Sequence, residues 1–216
     1  METVEVNTSA GDGSPGRAGY RRSAGSPRGE ARRRELLDRV ADDLAVNGLV
    51  DFSLRRAARA AGTTHKVLLY HFDGADDLLR QAILQLRERR IGNALAAAVR
   101  GPAHRTLAAR VRAVGAVLMR EEPGLRVLEQ AVGLAMYDPG RYGALGREAS
   151  QQYLPPLLSI CPAGWSGRRK LEVAEMILAV LQGFRVDWLT SGDTPRVAAG
   201  FEALTRALER EEAAGE

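Results

Sequence analysis

Residues 55–72 read RRAARAAGTTHKVLLYHF and gather Arg55, Arg56, Arg59, His65, Lys66, Tyr70 and His71 into one short run. Metal chelation is the first chemistry that two histidines suggest. His65 and His71 stand six positions apart, which turns them about 120° away from alignment on a regular helix. One ion cannot take both from there, and His104 stands alone. Nucleic-acid recognition suits the stretch better. Guanidinium groups pair with phosphate oxygens in a planar fork, and Thr64, His65, Lys66, Tyr70 and His71 are all hydrogen-bond donors. No carboxylate interrupts the run from Leu54 to Phe72. A plain helical hairpin explains the alanines and Gly62, but not a face that is uniformly basic or hydroxylated.

The elements that must position these side chains follow a helical period throughout. Leu37, Val40, Ala41 and Leu44 share one face, and Asn47-Gly48 stops that helix. Ser53 is a good N-cap for a short helix through Ala61, and a third helix runs from about Thr64 to Phe72. Ala58, Gly62 and Leu68 have the spacing of a helix-turn-helix. The small Ala58 lets the two helices approach, Gly62 permits the positive φ of a tight turn, and Leu68 plugs the core from the second helix.

Beyond Asp73-Gly74 a long helix carries Leu79, Ile83 and Leu86. Leu107, Val111, Val114 and Leu118 form the next stripe, and Leu125, Leu128, Val132 and Ala135 another. Pro155-Pro156 is expected to kink or end the segment that starts at Arg141. Leu171, Ala174, Leu178, Leu181 and Trp188 mark a helix ending near Gly192. Thr194 is expected to cap the last helix, with Pro195 at its first position. The chain therefore reads as all-α, with about nine helices.

Composition narrows the function further. With 216 residues, 45% of them hydrophobic, the chain can bury a substantial core. No apolar run approaches the roughly 20 residues needed to cross a bilayer, so no membrane partner is expected. The N-terminal stretch with Glu2, Glu5 and Asp12 does not read as a signal peptide, and a reducing cytoplasmic setting is expected. The single Cys161 excludes an internal disulfide framework and reads as a structural thiol. Charge is unevenly spread: residues 17–72 hold twelve basic and six acidic side chains, whereas the formal net charge of the whole is only +4. Residues 1–28 read as a disordered basic arm. No metalloprotease, paired-cysteine, phosphate-loop or Ser-His-Asp pattern appears, so the reading is a non-enzyme with no cofactor and no metal.

The run ELLDRVADDLAVNGLVDFSLRRAARAAGTTHKVLLYHFDGADDLL, residues 35–79, strongly resembles the DNA-binding region of TetR-family transcriptional regulators. The family pattern there is a first helix ending near Gly, then AxxAGVSxxxLYxHF, then an acidic, leucine-containing start to the fourth helix. The tail LQGFRVDWLTSGDTPRVAAGFEALTRAL looks like the family's last two helices, and LAMYDPGRYGALGREASQQYL is similar to a segment some members carry before them. After the arm over 1–28, the resemblance implies a helix-turn-helix DNA-binding domain over 29–76 and a ligand-binding and dimerisation domain over 77–216. It makes Ser53 a phosphate contact and lets Arg55 reach a base. It sets Thr64, His65 and Lys66, with Thr63 beside them, at base edges, and Tyr70 and His71 at the backbone.

Two positions depart from the pattern. Leu69 replaces a phosphate-contacting tyrosine, and Ala75 replaces a lysine that offsets the acids at the start of the fourth helix. With nothing local to offset Asp73, Asp76 and Asp77, the arm with Arg17, Arg21, Arg22 and Arg28 is expected to compensate.

The function so implied is a ligand-responsive regulator, a repressor released from a near-palindromic double-stranded DNA operator by a small-molecule effector. Met119, Tyr137, Tyr153 and Trp188 are candidates to line the effector cavity. A homodimer through the last two helices is expected, with Ala179, Gly183, Ala198 and Gly200 permitting close approach. The alternative is an α-helical ligand-binding or interaction protein with a degenerate helix-turn-helix.

Overall fold

The computed structural model describes residues 26–99, 106–120 and 123–214. Most of the arm expected over 1–28, including Arg17, Arg21 and Arg22, lies outside them, as does His104. Nine helices account for the described residues: α1 (Pro27–Asn47), α2 (Leu54–Ala60), α3 (His65–His71), α4 (Ala75–Val99), α5 (Leu107–Leu118), α6 (Leu125–Tyr137), α7 (Pro139–Ile160), α8 (Gly167–Ser191) and α9 (Thr194–Ala213).

Local chemistry starts and stops most of them. Ser26 caps α1 by accepting the Gly29 N–H at 3.1 Å, with Pro27 in the first turn. The helix thus begins well before its apolar stripe at Leu37. Ser53, Thr64, Thr106, Asp138 and Ser166 cap α2, α3, α5, α7 and α8 in the same way. The last helix is capped by Asp193, whose carboxylate accepts the Arg196 N–H at 3.0 Å, and not by Thr194.

Pro155 and Pro156 lie inside α7 without ending it. Proline's φ is already helical, and its penalty of about 3 kcal/mol comes from the lost amide and a carbonyl clash. Against that penalty, Tyr153, Leu157 and Ile160 are buried on both sides of the pair. Full burial of one such side chain contributes about 1.5–3 kcal/mol, so packing outweighs local preference.

Two apolar cores stack along α4. The first gathers Leu36, Val40 and Leu44 of α1, Ala57 and Ala58 of α2, and Leu68 of α3 around Leu78 and Ile83. Val127, Leu128 and Ala131 of α6 and Leu145 of α7 belong to the same core, so the helix-turn-helix rests directly on the body. The second core joins Ala94 and Ala98 to α5, α7, α8 and α9. Leu171, expected on the inner stripe of α8, is exposed, and Val173 and Ile177 are buried in its place. Phe184 and Phe201 meet at 6.2 Å between ring centroids. Phe201 fits because Gly115 of α5 has no side chain where the ring lies, and Phe184 presses likewise on Gly200. Gly200 therefore packs within its own protomer.

Candidate functional site

At the N-terminal end, α2 and α3 cross with Ala58 and Leu68 buried between them. Gly62 takes φ +61 at the turn, where a side chain would be strained. Ser53 accepts the Arg56 N–H at 3.2 Å, and Thr64 accepts the Val67 N–H at 3.4 Å. Both hydroxyls cap helices and stay exposed, and Thr63 beside Thr64 is half-buried. Lys66 and His65 project outward from the first turn of α3.

The arginines divide into two sets. Arg56 turns inward: it pairs with Asp43 at 2.8 Å and donates to the carbonyls of Val50 and Gly48 at 2.8 and 2.9 Å. Arg39 donates to Ala61 O at 3.3 Å while pairing with Glu35. Arg33 donates to His71 O at 3.2 Å, bonds Gln81, and lies over the Phe72 ring. These three brace the unit. Arg55 and Arg59, one helical turn apart, are exposed and have no hydrogen bond or ion pair to any described residue. Arg59 was missed from sequence, although its four-residue spacing from Arg55 shows a shared face.

His71 does not face outward as expected. It is half-buried, stacked edge-on against Tyr70 at 4.8 Å, and its Nδ1 is buried without a partner. Burial, reinforced by the Arg33 and Arg32 charges, holds its pKa below the ordinary range. Protonation of His71 is thereby disfavoured. Tyr70 is also half-buried. Leu69, by contrast, is 50% exposed.

The acids at the start of α4 are offset, contrary to expectation. Arg141 of α7 holds both oxygens of Asp76, at 2.9 and 2.7 Å, and its hydrogen bonds lower the Asp76 pKa. Asp77 pairs with Arg80 at 3.2 Å and accepts the Asp73 N–H at 3.1 Å. A long-range arginine fills the role expected of a local lysine.

In the body, the four aromatic and methionine candidates separate. Met119 and Trp188 line an open groove of about 320 Å³ between α5, α8 and α9, with Arg112, Phe201 and Glu202. Tyr153 lines a narrow apolar gap between α4, α5, α7 and α8, among Ile91, Leu118, Leu157, Leu178 and Arg185. Tyr137 lines neither and is 89% exposed at the end of α6. Two buried arginines flank Tyr153, with the guanidinium of Arg87 and that of Arg185 each 5.8 Å from its ring centre. Arg185 pairs with Glu129 of α6. Arg87 donates to Gln152 Oε1 at 3.0 Å and to Leu145 O at 3.4 Å. Burial raises the Cys161 thiol, which keeps it protonated and unreactive.

Solved structures share this architecture. A TetR-family transcriptional regulator from Streptomyces coelicolor is 20% identical with a TM-score of 0.61, the match covering 87% of this chain and 84% of that one. The multidrug binding protein EbrR, crystallised with ethidium, is 22% identical with a TM-score of 0.63, over 82% of this chain and 98% of that one. A transcriptional regulator from Rhodococcus sp. Rha1 is 17% identical with a TM-score of 0.59, over 83% and 96%. No protein-family model and no curated protein matches the chain. The fold is that of the TetR-family transcriptional regulators. No described helix is long and apolar enough to cross a membrane.

Proposed function

We propose that this protein is a ligand-responsive, sequence-specific DNA-binding regulator, a homodimer whose α3 enters the major groove. The observation that carries the reading is the outward set Arg55, Arg59, His65 and Lys66. These side chains are exposed, free of carboxylate partners, and mounted on a helix pair that Ala58, Gly62 and Leu68 hold rigid. Such a face suits phosphates and base edges together. Ser53, Thr63 and Thr64 lie at the helix starts beside it. Tyr70 and His71, at the end of α3, are half-buried and lie toward the DNA backbone.

Met176, Ala179, Gly183 and Val186 are exposed along one stripe of α8. That stripe, with the exposed Ala198 and Ala199 of α9, supports pairing of these helices with a second copy. A two-fold pair presents two recognition helices to a near-palindromic site. A small molecule in the body that prefers another separation of those helices lowers operator affinity by its differential binding, which makes the protein a repressor released by its effector.

Selection from random duplexes tests the reading. The expected product is a near-palindrome whose affinity falls steeply with salt. Equal binding to random and selected duplexes would overturn it in favour of an α-helical ligand-binding protein.

A further inference from the structure

The gap beside Tyr153 is apolar and tight. Only about 30 Å³ of it is wide enough to admit water, so an occupant has to part the helices that close it. Its walls are aliphatic except at one end, where Tyr153 and Arg185 stand. The Tyr153 hydroxyl is buried and donates its proton to no described protein group, which leaves that proton for a ligand acceptor.

The charges behind that end are unevenly paired. Arg185 pairs with Glu129, and Arg80 pairs with Asp77 at 3.2 Å and Glu148 at 2.7 Å, whereas Arg87 lies against Tyr153 and donates to the amide oxygen of Gln152 and a backbone carbonyl. Three guanidiniums thus stand against the three carboxylates Asp77, Glu129 and Glu148, but the almost wholly buried Arg87 forms no ion pair with any of them. A buried guanidinium that no carboxylate pairs favours an incoming anion and disfavours a cation.

We infer that the effector of this cavity is an amphiphile with an apolar body and one terminal carboxylate, which hydrogen-bonds the Tyr153 hydroxyl and takes Arg185 from Glu129. This rests on the ligand-responsive reading above and names its chemical class. The exchange also has a direction of action. Glu129 and Gln130 are neighbours on α6, and the Gln130 side chain accepts the Leu49 N–H in the turn before α2. Releasing Glu129 frees α6 at the body end while its next residue still holds the helix-turn-helix.

Calorimetry on the full chain with octanoate, octan-1-ol and octylammonium tests the assignment. Octanoate is expected to bind about ten-fold or more tighter than the alcohol, the scale of a charge-assisted hydrogen bond, with octylammonium weakest. Glu129→Gln removes the competing carboxylate and is expected to tighten octanoate several-fold while leaving octan-1-ol unchanged. Tyr153→Phe, which preserves the packing, is expected to weaken octanoate. Replacing the pair together, Arg185→Met with Glu129→Leu, avoids a stranded buried charge and is expected to erase the preference while octan-1-ol still binds. Equal or tighter binding of octan-1-ol or octylammonium overturns the carboxylate assignment and leaves the cavity as an effector site. Binding by none of the three overturns the cavity itself as the effector site.

Discussion

Gln130 holds the backbone of Leu49: its side-chain oxygen accepts the Leu49 N–H at 3.1 Å across 81 positions of sequence. The bond joins α6 to the turn that leads into Ser53 and α2. The adjacent Glu129 reaches the other way, to Arg185 in the body. Gln130→Ala is expected to leave ligand-free operator affinity nearly unchanged. Stability should fall by about 1 kcal/mol or less, as for one neutral hydrogen bond. The loss of operator affinity caused by effector should shrink. Operator titrations with and without octanoate measure that coupling, and an unaltered ratio would remove Gln130 from the path.

The two arginine sets give opposite phenotypes. Arg56→Ala breaks the Asp43 pair and two carbonyl bonds in a largely buried setting, and is expected to cost about 2–4 kcal/mol in denaturant unfolding. Arg55→Ala should leave unfolding untouched and relax base preference by about 1–3 kcal/mol. Arg59→Ala is expected to weaken all duplexes alike and to flatten the log-log salt slope by about 0.9 for each phosphate released.

His71 makes stability pH-dependent. Its folded pKa lies below the ordinary 6.5 because burial and the Arg33 and Arg32 charges oppose protonation. The unfolded chain therefore binds the proton more readily. The contribution of neutral His71 is complete above about pH 6.5 and drains away as pH falls through the lower folded value. Thermal unfolding between about pH 7.5 and pH 5 should drop more steeply for the natural chain than for His71→Phe. Parallel curves would show that the site tolerates the imidazolium.

Gly115→Ala places a methyl group inside the Phe201 ring. Overpacking of this kind costs about 1–3 kcal/mol, read by urea unfolding. Phe201→Leu in the same chain is expected to restore part of the loss by vacating the contact.

Arg141 covers Asp76, and on the DNA-binding reading this keeps the acid from repelling a nearby phosphate. Arg141→Ala should weaken selected and scrambled duplexes by the same factor, since a bare carboxylate repels any phosphate. A loss confined to the selected duplex would instead mean that Arg141 acts on the recognition helix.

The amino-acid sequence by itself determined the helices and the turn between α2 and α3. Apolar spacing at three and four residues, the caps Ser53 and Thr64, and the glycines at 48 and 62 act over one or two helical turns, so they are readable without partners. Tertiary structure alone decided which charges are free. Arg55 and Arg56 are adjacent and chemically identical, yet one is exposed and the other is spent on Asp43, Gly48 and Val50. It also decided that α7 runs through Pro155 and Pro156, that His71 is half-buried and resists protonation, that Tyr137 lies in solvent, and that Arg141 covers Asp76. The reason is common to all of these. A helical period names the inward face of each segment, but the partner across that face comes from a distant part of the chain, and burial and ion pairing are settled only when the helices pack.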